Sequence, residues 1–339
     1  MTGALQSQLA LRGRVETPAF ESELLRGNRA CDPHVREVPV YLPPEADSGR
    51  RLPVVFLLIG FTGNGREFLD THPWRLGVVA QYDRAVAAGR APPAILVAPD
   101  CFTKYGGSQY VNSAWLGPYE DHLVRELAPW IDARYSTLRG RRGVVGKSSG
   151  GFGAMHLSMR HPESFPAAAS ISGDCGFEWC HAPSFLACLR ALLPFGGDPG
   201  RFLEEFWREP DLSGGKHEAI NALAMSACYS PNVDAPLGFD LPFDLRTGAR
   251  VDAVWRRWLE FDPLLACRKY AGNWRKLELL HLECGLRDEY HIQWGLRQLV
   301  DRLRELDVPH VHEEHDGSHR NINHRYGLVL PKLIRVLDP

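Results

Sequence analysis

Apolar positions fall along this chain in short unbroken runs separated by amphipathic stretches. Leu52–Ile59 (LPVVFLLI) and Ala94–Ala98 (AILVA) are continuously apolar, as a parallel strand covered on both faces requires. Residues 77–88, between them, predict the crossover helix. Val144-Val145, Ala167–Ser172, Leu277–Leu282 and Val308–Glu313 continue the series. Nearer the start, Val15–Leu24 and Val35–Leu42 predict two strands that join the sheet antiparallel, the second closed by Pro43-Pro44. Strands alternating with helices in this number predict an α/β fold with a mostly parallel sheet. Tyr119–Tyr135 sets Leu123, Leu127, Trp130 and Ile131 on one helical face, with Pro129 expected to kink it.

The rhythm fails from 177 to 270, a turn-rich segment carrying Pro194–Gly200, Gly214-Gly215 and Pro231–Pro242. It interrupts a βα series that resumes at Leu277, which divides the chain into a core over 1–176, an inserted cap over 177–270 and a second part of the core over 271–339. The segment holds 14 of the 34 aromatic residues, which fits either a cap over an apolar pocket or a satellite core needing its own rings.

One apolar run ends in chemistry. Val144-Val145-Gly146-Lys147-Ser148-Ser149-Gly150-Gly151 puts a serine at the centre of G-x-S-x-G, between β-branched residues and a helix-forming stretch. That context is a nucleophile elbow. A serine hydroxyl is a poor nucleophile at neutral pH, so it must stand out from a tight turn where a base reaches it and amides face the developing oxyanion. Gly146-Lys147-Ser148 also resembles the tail of a phosphate-binding loop, but that pattern demands glycine where Arg141 stands. An ordinary glycine-rich turn is the other alternative.

Composition narrows the class. The 339 residues are 44% hydrophobic and 24% charged, with a formal net charge of -2, which is ordinary for a globular enzyme and gives no electrostatic case for nucleic acid or an anionic membrane. The first twenty residues include Arg12 and hold no signal-peptide core, and no long apolar run predicts a membrane span. A cytoplasmic location is expected. Eight cysteines are too sparse for a disulfide scaffold, and Cys175, Cys180 and Cys188 lack zinc-site spacing, so buried free thiols are expected.

A serine nucleophile needs a base and an acid to orient it, and in the α/β hydrolases, which this elbow resembles, the chain order is Ser, acid, His. Following Leu277–Leu282, Asp288 precedes a helix expected over Tyr290–Leu306. There it would accept from an imidazole Nδ1–H and fix the tautomer; Glu283 and Glu289 are alternatives, and a plain helix cap is another. After the last strand, His319 is the candidate base and His315 its rival. His310, His312 and His324 crowd the same region without recognisable ligand spacing, so no metal and no cofactor are expected. Oxyanion donors are assigned to Ser149 N–H, next to the nucleophile, and Phe61 N–H in the loop Gly60–Gly65.

Together these segments resemble the putative-esterase branch of the α/β hydrolases, which includes esterase D, enterochelin esterases, feruloyl esterases and the mycolyltransferases. The matching residues are VPVYLPP (38–44), LLIGFTGNG (57–65), YEDHLVRELAPWIDARYST (119–137), VVGKSSGGFGAMHLSMRHPESF (144–165), FDPL (261–264), ECGLRDE (283–289) and DGSH (316–319). The resemblance implies an α/β-hydrolase fold with a cap, and a serine esterase that splits a small-molecule carboxylic ester through an acyl-enzyme, with Ser148, Asp288 and His319 as triad. An acyltransferase with a hydroxyl acceptor, or a hydrolase-fold binding protein without catalysis, are the other readings. Three departures stand out. Lys147 and Ser149 replace the family's usual His, Tyr or Glu and Met, and a cation beside the nucleophile would favour an anionic acyl group. The cap is longer than that of esterase D, and DGSH replaces the usual GGH-aromatic pattern.

Overall fold

Every residue of Leu52–Leu58 is buried, and its alternate side chains serve two different cores. Val54, Phe56 and Leu58 join an apolar cluster on one face of the sheet, while Val55 and Leu57 join the cluster on the other. Each such side chain contributes about 1.5–3 kcal/mol through burial, which explains why the run is apolar without interruption. The computed structural model describes residues 10–72 and 75–338; the expectation about a signal peptide rests partly on residues 1–9, which lie outside them.

The main sheet contains β1 (Arg14–Glu16), β2 (Val40–Leu42), β3 (Leu52–Leu58), β4 (Ile95–Val97), β5 (Thr137–Lys147), β6 (Ala167–Ile171), β7 (Leu279–Gly285) and β8 (Val311–His315). Their spatial order is β1-β2-β4-β3-β5-β6-β7-β8. β2 runs antiparallel to both neighbours, and the pairs from β4 to β8 are parallel. Helices α1 (Val78–Ala87) and α10 (Tyr326–Leu337) cover one face; α3 (Ser149–Arg160), α8 (Pro263–Trp274) and α9 (Ile292–Glu305) cover the other. Among the described residues no helix is long and apolar enough to cross a membrane.

Prolines account for the main differences from the expected strands. Both early strands are split: Ala19–Glu21 pairs with Val35–Glu37 in a separate ribbon, because Pro18 and Pro39 interrupt the segments that would otherwise run on into β1 and β2. Pro309 offers no ladder donor, and β8 starts two residues beyond it. The helix from Tyr119 does not kink sharply at Pro129; it widens into a π-helical stretch over His122–Leu127, with the Ala128 amide bonded to the Leu123 carbonyl, before α2 (Ala128–Arg134) resumes. A π-turn relaxes the ladder that a proline would break.

After β6 the chain enters a helical segment comprising the turn Phe177–Cys180, α4 (Ser184–Leu192), α5 (Pro199–Arg208), α6 (Lys216–Tyr229) and α7 (Asp252–Leu259). α8 follows and packs against α3 and α9. Asp262 ties this return together: its buried carboxylate accepts from the amides of Gly176, Phe177 and Leu264, so the FDPL segment caps α8 and holds the exit from β6. The aromatic residues chiefly build a core. Phe185 packs on Trp255 and Trp258, and Tyr229 and Phe177 carry the cluster to Phe152 of α3.

Candidate active site

The turn from β5 to α3 stores backbone strain at one residue. Ser148 has φ 59° and ψ -127°, a conformation that costs a non-glycine residue about 1–3 kcal/mol. Its neighbours hold it there: the Ser148 amide donates to the Ile171 carbonyl at 3.0 Å, and its carbonyl accepts from Phe152 at 2.9 Å. The flanking glycines are sterically required. A Cβ at Gly146 would lie 2.3 Å from the Gly150 carbonyl, and one at Gly150 would lie 2.0 Å from the Leu58 oxygen. Helix α3 therefore starts directly over the carboxyl end of β3, as an elbow demands.

At the carboxyl ends of β7 and β8 two loops meet. Asp288 Oδ2 lies 2.8 Å from His319 Nδ1, with both side chains buried. Its other oxygen accepts the Tyr290 amide at 3.0 Å. The neighbouring Glu289 accepts the backbone amide of His319 at 2.7 Å, and Tyr290 packs edge-on against the imidazole with 4.7 Å between ring centroids. Burial pushes the Glu289 carboxyl up, but the amides of His319 and of Glu289 itself, with the charge of His319, together outweigh it and the net shift is downward. Glu283, weighed as an acid, faces elsewhere: it binds Arg325 through both oxygens at 2.8 Å and His281 at 3.0 Å. His315, the rival base, makes no bond to Asp288, and its carbonyl accepts from Leu286 and Gly317.

On the opposite side, Gly60-Phe61-Thr62-Gly63 closes a tight turn through the bond from Gly63 N–H to Gly60 O at 3.1 Å. Thr62 takes φ 68° and its amide donates to Gly106. Tyr110 anchors the strand exit, its hydroxyl donating to the Ile59 carbonyl at 2.6 Å. Neither the Phe61 nor the Ser149 amide donates to another described group, and both residues line the same cavity as Ser148.

That cavity, about 320 Å³, brings Ser148, His319, Phe61 and Ser149 together. No hydrogen bond joins Ser148 to His319 among the described residues; such contacts are commonly long before substrate binds. The helical segment after β6 contributes Cys180, His181, Ser184, His217, Glu218 and Asn221 to the wall. This face is mostly polar, and the aromatic residues fit the satellite core, the second of the two readings their number allows. Sequence reasoning missed a buried network beneath it: Gln109 donates to Asp174 at 3.1 Å and to the Tyr229 hydroxyl at 2.9 Å, and His181 Nε2 stands 3.9 Å from Asp174. These residues come from three separate segments, and no local motif links them. Burial pulls His181 below the ordinary histidine value.

Lys147, beside the nucleophile, also lines the cavity. Its ammonium reaches the His319 carbonyl at 3.4 Å, and burial lowers its pKa from the usual lysine value. Among the described residues, His281, Glu283 and Glu313 form the group with metal-ligand geometry, but Arg325 already pairs with both carboxylates and Lys332 with Glu313. Fixed cations occupy the role an ion would play. His324 sits in a single turn, Asn323–Arg325, ahead of α10. All eight cysteines are free, Cys31 alone being exposed.

A mostly parallel sheet of this strand order, with an elbow after β5 and loops bearing acid and histidine after β7 and β8, defines the α/β-hydrolase fold. Residues 33–291 match the family described as "Putative esterase", and the chain belongs to that family. Esterase MT1326 of Mycobacterium tuberculosis is 36% identical over 145 residues, covering 40% of this chain; the match spans 28% of that relative's length. A solved ferulic acid esterase superposes with a TM-score of 0.60 at 19% identity over 96% of this chain and 100% of its own. An S-formylglutathione hydrolase from Agrobacterium tumefaciens gives 0.58 at 17% identity over 97% and 95%. At these identities the structural likeness speaks to fold.

Proposed function

We propose that this protein is a serine carboxylic-ester hydrolase acting on a small-molecule ester through an acyl-enzyme. The observation that carries the reading is the 2.8 Å contact between Asp288 and His319 on the wall of the cavity that also holds Ser148 in its strained turn. Ser148 Oγ attacks the ester carbonyl while His319 Nε2 takes its proton; Asp288 accepts from Nδ1–H and stabilises the imidazolium. The amides of Phe61 and Ser149 receive the oxyanion. His319 then protonates the leaving alcohol, and water repeats the sequence to free the acid. Residues 177–270 act as the cap and supply the polar wall. The eight unpaired cysteines fit a reducing compartment, and a cytoplasmic location belongs to the proposal.

The test is turnover of p-nitrophenyl acetate together with labelling by a fluorophosphonate probe. Wild type is expected to do both and Ser148→Ala neither. Undiminished turnover or labelling in the variant rejects the assignment.

A further inference from the structure

Beside the reaction cavity lies a second concavity with the opposite charge character. Among the described residues its wall includes Arg75, Lys147, Arg320 and His324, with Asn321 and Asn323, and none that is acidic. The reaction cavity carries its carboxylates elsewhere, on Glu67, Asp70, Asp174 and Glu218. Lys147 and Asn323 line both spaces, so the two adjoin at the residue preceding the nucleophile.

Arg75, Lys147, Arg320 and His324 form no ion pair with any described carboxylate, whereas many other arginines of this chain are paired, including Arg66, Arg141, Arg142, Arg297 and Arg325. Lys147 is the telling member. It is half-buried, and the polar contact of its ammonium is one 3.4 Å bond to a carbonyl. Partly burying a cation with no carboxylate in contact with it is unfavourable; Asp288, Glu67 and Glu289 act on Lys147 only from a distance, and an arriving anion offsets the remaining penalty. Arg320 follows His319 directly, and the left-handed turn at Asn321, φ 59°, carries the loop on to Asn323. Arg320 and His324, two of the concavity's four basic residues, thus belong to the segment that bears the proposed base.

We propose that this concavity is an anion subsite and that the ester substrate carries a carboxylate or phosphate group, seated on Lys147 and Arg320 while its carbonyl faces Ser148. The inference rests on the esterase reading and adds the substrate class. Lys147 and Arg320 are here specificity-determining residues that touch substrate away from the reacting atoms.

Matched ester pairs test it. Mono-p-nitrophenyl succinate against p-nitrophenyl butyrate places the charge on the acid side; 4-acetoxybenzoate and 4-acetoxyphenyl phosphate against phenyl acetate place a carboxylate or a phosphate on the alcohol side. At least one charged ester is expected to exceed its neutral partner tenfold or more in kcat/KM at low salt, with the advantage shrinking as ionic strength rises. Lys147→Gln should cut that ratio at least tenfold, mainly through KM, and Lys147→Arg should restore part of it. The exposed Arg320→Gln should cut it also, which keeps the test open if Lys147→Gln does not fold. Equal treatment of charged and neutral esters overturns the proposal, as does a ratio that neither variant changes. Should no ester be turned over, the esterase reading fails, and calorimetry with succinate and inorganic phosphate decides the subsite alone: binding weakened tenfold by Arg320→Gln supports it, and no binding overturns it.

Discussion

The carboxylate of Glu289 grips the backbone of His319 at 2.7 Å while its neighbour Asp288 holds the ring of the same histidine at 2.8 Å. Two consecutive acids thus fix one residue at two points. Their removal should be felt differently. Asp288→Asn should lower kcat by about ten-thousandfold, since it presents the wrong hydrogen-bond partner to Nδ1. Glu289→Ala should cost about ten- to a hundredfold, through misplacement of an intact dyad. Steady-state kinetics on p-nitrophenyl acetate separates the two, and equal losses would contradict this division of labour.

Strain at the nucleophile gives a stability prediction. Ser148→Gly relieves the positive φ that Ser148→Ala retains, so the glycine variant should melt above the alanine variant by the equivalent of about 1 kcal/mol, both being inactive. Calorimetry reads the difference. Coincident melting curves would mean that the turn is not under strain.

Packing at the elbow sets a harder limit. Gly150→Ala drives a methyl to 2.0 Å from the Leu58 oxygen, and backbone on both sides prevents relief. A destabilisation of about 3 kcal/mol or more is expected, with loss of labelling. Urea denaturation checks it, and a shift below about 1 kcal/mol would show that α3 can slide.

Acid sensitivity should begin above the carboxylate range. Burial lowers His122 from 6.5 to about 4 and lowers His181 as well. Below about pH 6.5 the unfolded chain protonates these residues while the folded one does not, so their contribution, present above that pH, drains away as pH falls towards 4. Each removes up to about 1.4 kcal/mol per pH unit. Glu283, held low by Arg325 against the upward push of burial, adds a second loss below about its ordinary value of 4.5. Melting temperatures at pH 7.5, 6 and 5 should fall progressively, and His122→Gln should flatten that slope; an identical slope in the variant would remove His122 from the account.

Sheet and elbow were legible in the sequence because each is written locally. A run such as Leu52–Leu58 must be apolar to be buried on both faces, and Gly146 and Gly150 must lack Cβ where backbones touch. Strand ends at Pro18, Pro39 and Pro309 shifted because proline acts on partners that pattern alone does not identify. Asp288 and His319 were legible from their order along the chain. Sequence alone offers Glu289 as an alternative acid, and its grip on the His319 amide depends on how two loops meet; Gln109, Asp174 and His181 likewise converge from distant segments and carry no shared spacing. The aromatic excess over 177–270 was visible while its direction was not, since counting rings does not say which way they point.

That direction has a consequence for how the reaction cavity is reached. Phe177, Tyr229 and Trp258 knit the helices after β6 to Phe152 of α3 in one continuous apolar mass. On the proposed cap reading, a wall anchored in the core predicts a doorway of nearly fixed outline, one that sorts molecules by shape and charge.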